Sequence, residues 1–105
     1  MAIIRYTTPP IGLRVKGFDL TQKDVYVTVE QGDVQITLTG EQLTITATEA
    51  GNTQITFSLT QEQAGSLNIK APAEIQVNWM EDNVRKATKI ANVRVYDNLL
   101  DEVIS

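Results

Sequence analysis

The chain has 105 residues and a net charge of −4, and it contains neither histidine nor cysteine. That length suits one two-layer core and is too short for two. Without imidazole or thiol there is no Ser-His-Asp triad, cysteine nucleophile, disulfide, or thiolate or histidine metal site, and the acidic balance argues against broad nucleic-acid or anionic-membrane binding.

The opening Met-Ala-Ile-Ile-Arg-Tyr-Thr-Thr-Pro-Pro has too short an apolar run for a signal peptide, with Arg5 inside it. It is expected to be a flexible start, separated by Pro9-Pro10 from a first strand over Ile11, Leu13 and Val15 with Arg14 and Lys16 facing out. Residues 17–24 form a loop, with one helical turn capped by Asp19 or Thr21, and Phe18 and Leu20 tucked under the sandwich edge.

Four strands follow by strict alternation: Val25, Val27, Val29; Val34, Ile36, Leu38; Leu43, Ile45, Ala47; and Ile55, Phe57, Leu59. A period of two places each apolar set on one face and the intervening threonines and amides on the other. Gly32-Asp33 and Gly40-Glu41 are two-residue links of type II′ character. In Glu49-Ala50-Gly51-Asn52 the last two residues can take positive φ. Three tight links in succession predict an antiparallel meander.

Thr60-Gln61-Glu62-Gln63 has the form of a capping box, which predicts a short helical turn over 61–65 crossing between sheets, as at the E–F corner of immunoglobulin-like sandwiches. Ile75, Val77 and Trp79 make a sixth strand, with Glu81-Asp82-Asn83 as its turn. The last strand carries Ala87, Ala91, Val93 and Val95, its pattern blurred at Lys89 and Ile90 by a bulge. The expected fold is therefore all-β: a single immunoglobulin-like antiparallel β-sandwich of about seven strands with one short helical turn. Its one domain spans 1–105, with the core in residues 9–96 and a C-terminal apolar tail in 97–105.

Candidate sites are few. Trp79, alone or with Tyr6, Tyr26 and Tyr96, is a possible sugar-stacking platform, but Trp79 continues an apolar face and reads better as a core plug. Arg85, Lys86, Lys89 and Arg94 form either a basic ribbon or, preferably, a solvated strand face. The threonine rows (Thr37, Thr39, Thr44, Thr46, Thr48, Thr56) suit exposed β positions better than a ligand or ice surface. The carboxylate pairs Glu81-Asp82 and Asp101-Glu102 are sequence neighbours with no calcium-loop spacing, so no catalytic, cofactor or metal site is expected and the chain reads as a non-enzyme. The tail holds the strongest interaction signal: Leu99, Leu100, Val103 and Ile104 would share one helical face and must either fold back or dock on another subunit.

The segments Asp24-Val-Tyr-Val-Thr-Val-Glu-Gln, Leu43-Thr-Ile-Thr, Ile55-Thr-Phe-Ser-Leu-Thr-Gln-Glu-Gln, Ile75-Gln-Val-Asn-Trp-Met and Asn98-Leu-Leu-Asp-Glu-Val-Ile resemble small proteins of tail-module regions in phages and prophages of Gram-positive gut bacteria. Their order is similar to the immunoglobulin-like N-terminal domain of baseplate upper proteins, over residues 8–104. The resemblance implies a structural or adaptor protein of a phage tail, located in the virion or in host cytoplasm before assembly. Its partners would be other tail proteins or further copies of itself, with no nucleic acid and no membrane. It carries no catalytic set, and the coiled and receptor-facing parts that follow this domain in baseplate upper proteins are absent here. A carbohydrate-binding sandwich is the alternative.

Overall fold

The computed structural model describes residues 2–48 and 51–104; Glu49 and Ala50, part of the expected third link, lie outside it. The described chain forms nine strands: β1 (Ala2–Ile4), β2 (Pro10–Val15), β3 (Val25–Gln31), β4 (Val34–Thr39), β5 (Thr44–Ala47), β6 (Thr53–Ser58), β7 (Ala73–Glu81), β8 (Val84–Ala87) and β9 (Ala91–Tyr96). One short helix, α1, spans Gln61–Gly65. The larger sheet runs β1-β9-β7-β3-β4 with β8 beside β7, and the smaller runs β2-β6-β5. With β2, β5 and β6 in the B, D and E places and β3, β4, β7 and β8–β9 in the C, C′, F and G places, this is the immunoglobulin-type order.

The alternating residues face each other between the two sheets. Val25, Val27, Val29, Ile36, Leu38, Ile75, Val77, Trp79, Val93 and Val95 from the large sheet and Ile11, Val15, Ile55 and Phe57 from the small one belong to a single buried cluster. Trp79 is 3% exposed, and its ring meets Phe18 edge-on at 5.1 Å. The tryptophan is thus the core plug, closed over by the 17–24 loop, in which Leu20 is fully buried. Asp19 fixes that loop by accepting hydrogen bonds from both the backbone N–H and the hydroxyl of Thr21. This is an Asx turn and not the expected helical turn. The buried Thr53 ties the loop to the small sheet: its Oγ1 accepts from the N–H of Leu20 and donates to the carbonyl of Phe18.

Four expectations are corrected. The N-terminal residues are not a flexible start, because Ala2–Ile4 pair in parallel with Arg94–Tyr96 and bury Ile3 completely. This pairing makes the large sheet mixed, and with the division of the last strand it raises the expected seven strands to nine. The meander stops at β4: Gly40-Glu41 does not turn a hairpin but opens a 3₁₀ turn, Gly40–Gln42, that carries the chain into the other sheet. A second capping box, Thr39 with Gln42, makes that turn. Leu43 is buried and Ile45 half-buried against the core, while Ala47 is exposed, so the row predicted there holds for its first two members and ends at the third. After β5, Gly51 takes positive φ (71°) and Asn52 does not.

The blurred pattern before the last strand has the expected cause. Asn78 opposes Ala87 and Ile75 opposes Ala91, so Gln76 and Val77 face three residues, Thr88, Lys89 and Ile90. That extra residue is a bulge, and it divides the G position into β8 and β9. Thr88 stitches it closed: its N–H donates to the carbonyl of Val77, its hydroxyl accepts from the N–H of Val77, and its carbonyl accepts from Gln76.

Candidate functional site

The C-terminal segment after β9 is not helical, so the expected single helical face of Leu99, Leu100, Val103 and Ile104 does not form. Polar contacts hold the segment against its own domain instead. Asn98 begins it, donating its side-chain amide to the carbonyl of Arg5, while its side-chain oxygen accepts from the N–H of Leu100. Asp101 then reaches the Arg5 guanidinium at 3.0 Å. Finally Gln61 brackets Ile104, donating to its carbonyl at 3.0 Å and accepting from its N–H at 2.8 Å. The segment therefore crosses the end of the sandwich that holds α1.

Arg5 is the centre of this clamp. It follows β1 directly, and its backbone N–H extends the parallel ladder to the carbonyl of Tyr96. The guanidinium is largely shielded from solvent and donates from all three of its nitrogens. Nε donates to the carbonyl of Leu67, Nη2 to that of Gly65, and Nη1 to both Asp97 and Asp101. One side chain thus joins the N-terminal strand, the carbonyls at the end of α1 and the C-terminal segment. The hydrogen bond to Asp97 and the charges of Asp101 and Asp97 raise the Arg5 pKa further above its ordinary value. The same hydrogen bond from Arg5, with one from the N–H of Asn98, holds the Asp97 carboxyl below the usual carboxylate range.

Tyr6 seats the clamp. Its backbone sits at φ 63°, in the left-handed region, with the Arg5 guanidinium carbon 5.3 Å from its ring centroid. The ring fills the space over Gly65 so closely that a Cβ there would lie 2.3 Å from a ring carbon. Glycine is therefore needed at position 65 for close approach rather than for backbone freedom.

This scaffold leaves apolar groups in water. Leu99 is fully exposed, and Leu100, Val103 and Ile104 are 46%, 44% and 65% exposed. Ile4 and Tyr96, paired across β1 and β9, are also about half exposed. The segment packs in cis through polar anchors while its large apolar side chains stay available, an arrangement of the kind that marks protein contact surfaces.

The remaining candidates do not converge. Trp79 is in the core, Tyr6 lies against Gly65, and Tyr26 and Tyr96 sit at opposite corners of the large sheet's outer face, roughly 25 Å apart along the strands. Tyr26 does border a shallow groove of about 450 Å³ with Gln35, Asn78, Met80 and Arg85, in which Arg85 donates to Asn78. Arg85 and Lys86 alternate across β8, and Lys89 sits in the bulge, so no basic ribbon forms. The threonines divide between two sheets, Thr37 and Thr39 on β4 and Thr44, Thr46 and Thr56 on β5 and β6. Of the carboxylate pairs, Glu81 is near Lys23 at 3.5 Å while Asp82 sits in the turn at φ 50°. Asp101 is on Arg5 while Glu102 is exposed. No group of three or more metal-ligating side chains occurs among the described residues, and none of their helices is long and apolar enough to cross a membrane. No family model matches the sequence, and no curated protein is significantly similar to it.

Sequence reasoning missed Arg5 as the organising residue. The only local signal was a charged residue placed directly after Ile3 and Ile4, and its partners lie 60 to 96 positions away.

Proposed function

We propose that this protein is a non-enzymatic structural or adaptor component of a phage or prophage tail, associated with the baseplate and acting through protein–protein contacts. The observation that carries the reading is the C-terminal segment: a fixed backbone that presents Leu99, Leu100, Val103 and Ile104 to solvent. Pre-ordering reduces the entropy lost on docking, so a modest apolar surface can serve as an attachment point. The resemblance to tail-module proteins supplies the class of partner, and the virion is the location that follows from it.

The test is co-expression with the tail proteins encoded beside the gene, comparing the wild-type chain with Leu99→Asp/Val103→Asp. Loss of co-purification in the variant, with an unchanged melting temperature, is the expected result. Full retention by this variant, by deletion of Leu99 to Ser105 and by edge-strand substitutions alike would sink the proposal. Neighbouring genes for polysaccharide capture would instead favour the carbohydrate reading, with the Tyr26 groove as the place to probe by ligand titration.

A further inference from the structure

The sandwich has several strand edges, and most are blunted. β1 is three residues long and is followed by Arg5, β2 begins with Pro10 and contains Gly12 and Arg14, β5 is only four residues long, and β8 carries Arg85 and Lys86. Short length, proline and charge are the usual defences against edge pairing. β4 has none of them. Val34-Gln-Ile-Thr-Leu-Thr39 contains no charge, proline or glycine, and it keeps an unbroken register with β3 over its whole length.

The backbone of β4 shows which groups are available. Gly32-Asp33 joins β3 to β4 with Gln31 opposite Val34, and the closing pair of a two-residue hairpin is hydrogen-bonded. The N–H and C=O groups of Val34, Ile36 and Leu38 therefore face β3, and those of Gln35, Thr37 and Thr39 face away. Thr39 agrees with this alternation: its N–H donates to the side-chain oxygen of Gln42 at 3.0 Å and is thereby removed from the edge. The backbone groups of Gln35 and Thr37 have no partner on that side among the described residues.

We propose that β4 pairs with β4 of a second copy of this chain, antiparallel across a two-fold axis through Ile36. This deepens the adaptor reading and rests on it for the relevance of self-association, naming the edge and its occupant. The open window is two residues wide on each copy and self-complementary. Gln35 meets Thr37 of the second copy as a hydrogen-bonded pair in which both N–H groups donate, and the symmetry repeats the exchange on the other side of the axis. Ile36 then faces its own equivalent on the core side, with Val34 opposite Leu38.

The occupied Thr39 N–H fixes the register. Moving the axis to Thr37 would require the Thr39 N–H that Gln42 already holds. With Ile36 on the axis only the free groups of Gln35 and Thr37 are used, and β4 itself brings no charge to the seam. An arbitrary acidic or basic strand would gain nothing from this uncharged edge, whereas a second β4 matches it in length, polarity and hydrogen-bond spacing. The outcome is one large sheet running through both copies.

Because positions 35 and 37 face each other between copies on the exposed outer face, they give a charge-swap test. Sedimentation equilibrium of the full chain over a concentration series should show wild-type dimer. Gln35→Lys/Thr37→Lys should weaken it roughly tenfold or more through facing like charges, as should Gln35→Glu/Thr37→Glu. Mixing the two variants should restore a dimer containing one of each. Circular dichroism and melting temperature establish that both variants are folded. A wild-type chain that stays monomeric throughout, or a dimer indifferent to both variants, would overturn the inference. A dimer abolished by Leu99→Asp/Val103→Asp but not by the lysine variant would reject β4 while leaving the adaptor reading intact. Loss of the dimer in the lysine variant with tail-protein capture retained would support β4 pairing as separate from partner docking.

Discussion

Arg5 makes more long-range polar contacts than any other side chain described, and their chemistry makes its substitution costly in a specific way. Two of its donors satisfy the carbonyl of Gly65, which helix geometry leaves unpaired at the end of α1, and that of Leu67, two residues beyond it. The other bonds tie down Asp97 and Asp101. Arg5→Ala should lower unfolding free energy by about 2 kcal/mol, the scale of losing charged hydrogen bonds to partly buried acceptors. The same change should free the C-terminal segment, seen as faster cleavage after residue 97 in limited proteolysis. Arg5→Lys should recover little, because an ammonium cannot reproduce the planar fork that reaches four acceptors on two segments. A melting curve unchanged in Arg5→Ala would show that the clamp is incidental.

At the scale of elements, the connections decide the topology. Two capping boxes, Thr39 with Gln42 and Thr60 with Gln63, sit where the chain changes sheet. Each satisfies the backbone donors of a short turn that neither sheet can pair. The second was legible because Thr60-Gln-Glu-Gln63 has the textual form of the motif and precedes a break in alternation. The first was hidden because Gly40 (φ 55°) in a Gly-X link reads equally well as a hairpin. Alternation was correct for β3, β4, β6 and β7, whose inner faces all meet the opposite sheet, and faded along β5, a short edge strand with Ala47 in water. The helix also depends on something outside itself. Gly65 is pressed by the Tyr6 ring, so Gly65→Ala should destabilise by about 1–3 kcal/mol through overpacking, against the stabilisation alanine normally brings to a helix. Tyr6→Ala in the same background removes the clash, and partial recovery of the melting temperature would confirm that cause. Equal melting temperatures for wild type and Gly65→Ala would refute it.

For the whole molecule, the absence of histidine removes the usual side chain that titrates between pH 5 and 8. The resolved carboxylate shifts both point downward: Asp97 through Arg5 and Asn98, and Asp19 through the Thr21 hydroxyl and N–H. A folded pKa below the unfolded value means the native state holds fewer protons there. Its contribution to stability is present above the ordinary carboxylate range and is lost as pH falls through the folded pKa. Denaturation midpoints should therefore show no loss from these groups above about pH 5 and should fall below about pH 4. Asp97→Asn should flatten part of that acid-side slope. A slope unchanged in Asp97→Asn would remove the Arg5–Asp97 pair as its source.

What the sequence determined by itself was local. Alternation assigned most strands and their inner faces, because a period of two is a property of each strand alone. The Thr60–Gln63 box placed α1, and the blurred pattern at Lys89-Ile90 marked the bulge, since both are written within a few residues. The apolar tail was legible as a candidate contact for the same reason. The tertiary structure alone decided what depends on distant partners. It made Ala2–Ile4 a strand, which required the edge of β9 to be present. It sent β5 to the other sheet, and it held the tail extended through Arg5 and Gln61 rather than helical. It also left β4 as the unguarded edge, because a strand's own residues specify its faces while its position in the sheet specifies which of its backbone groups remain unpaired.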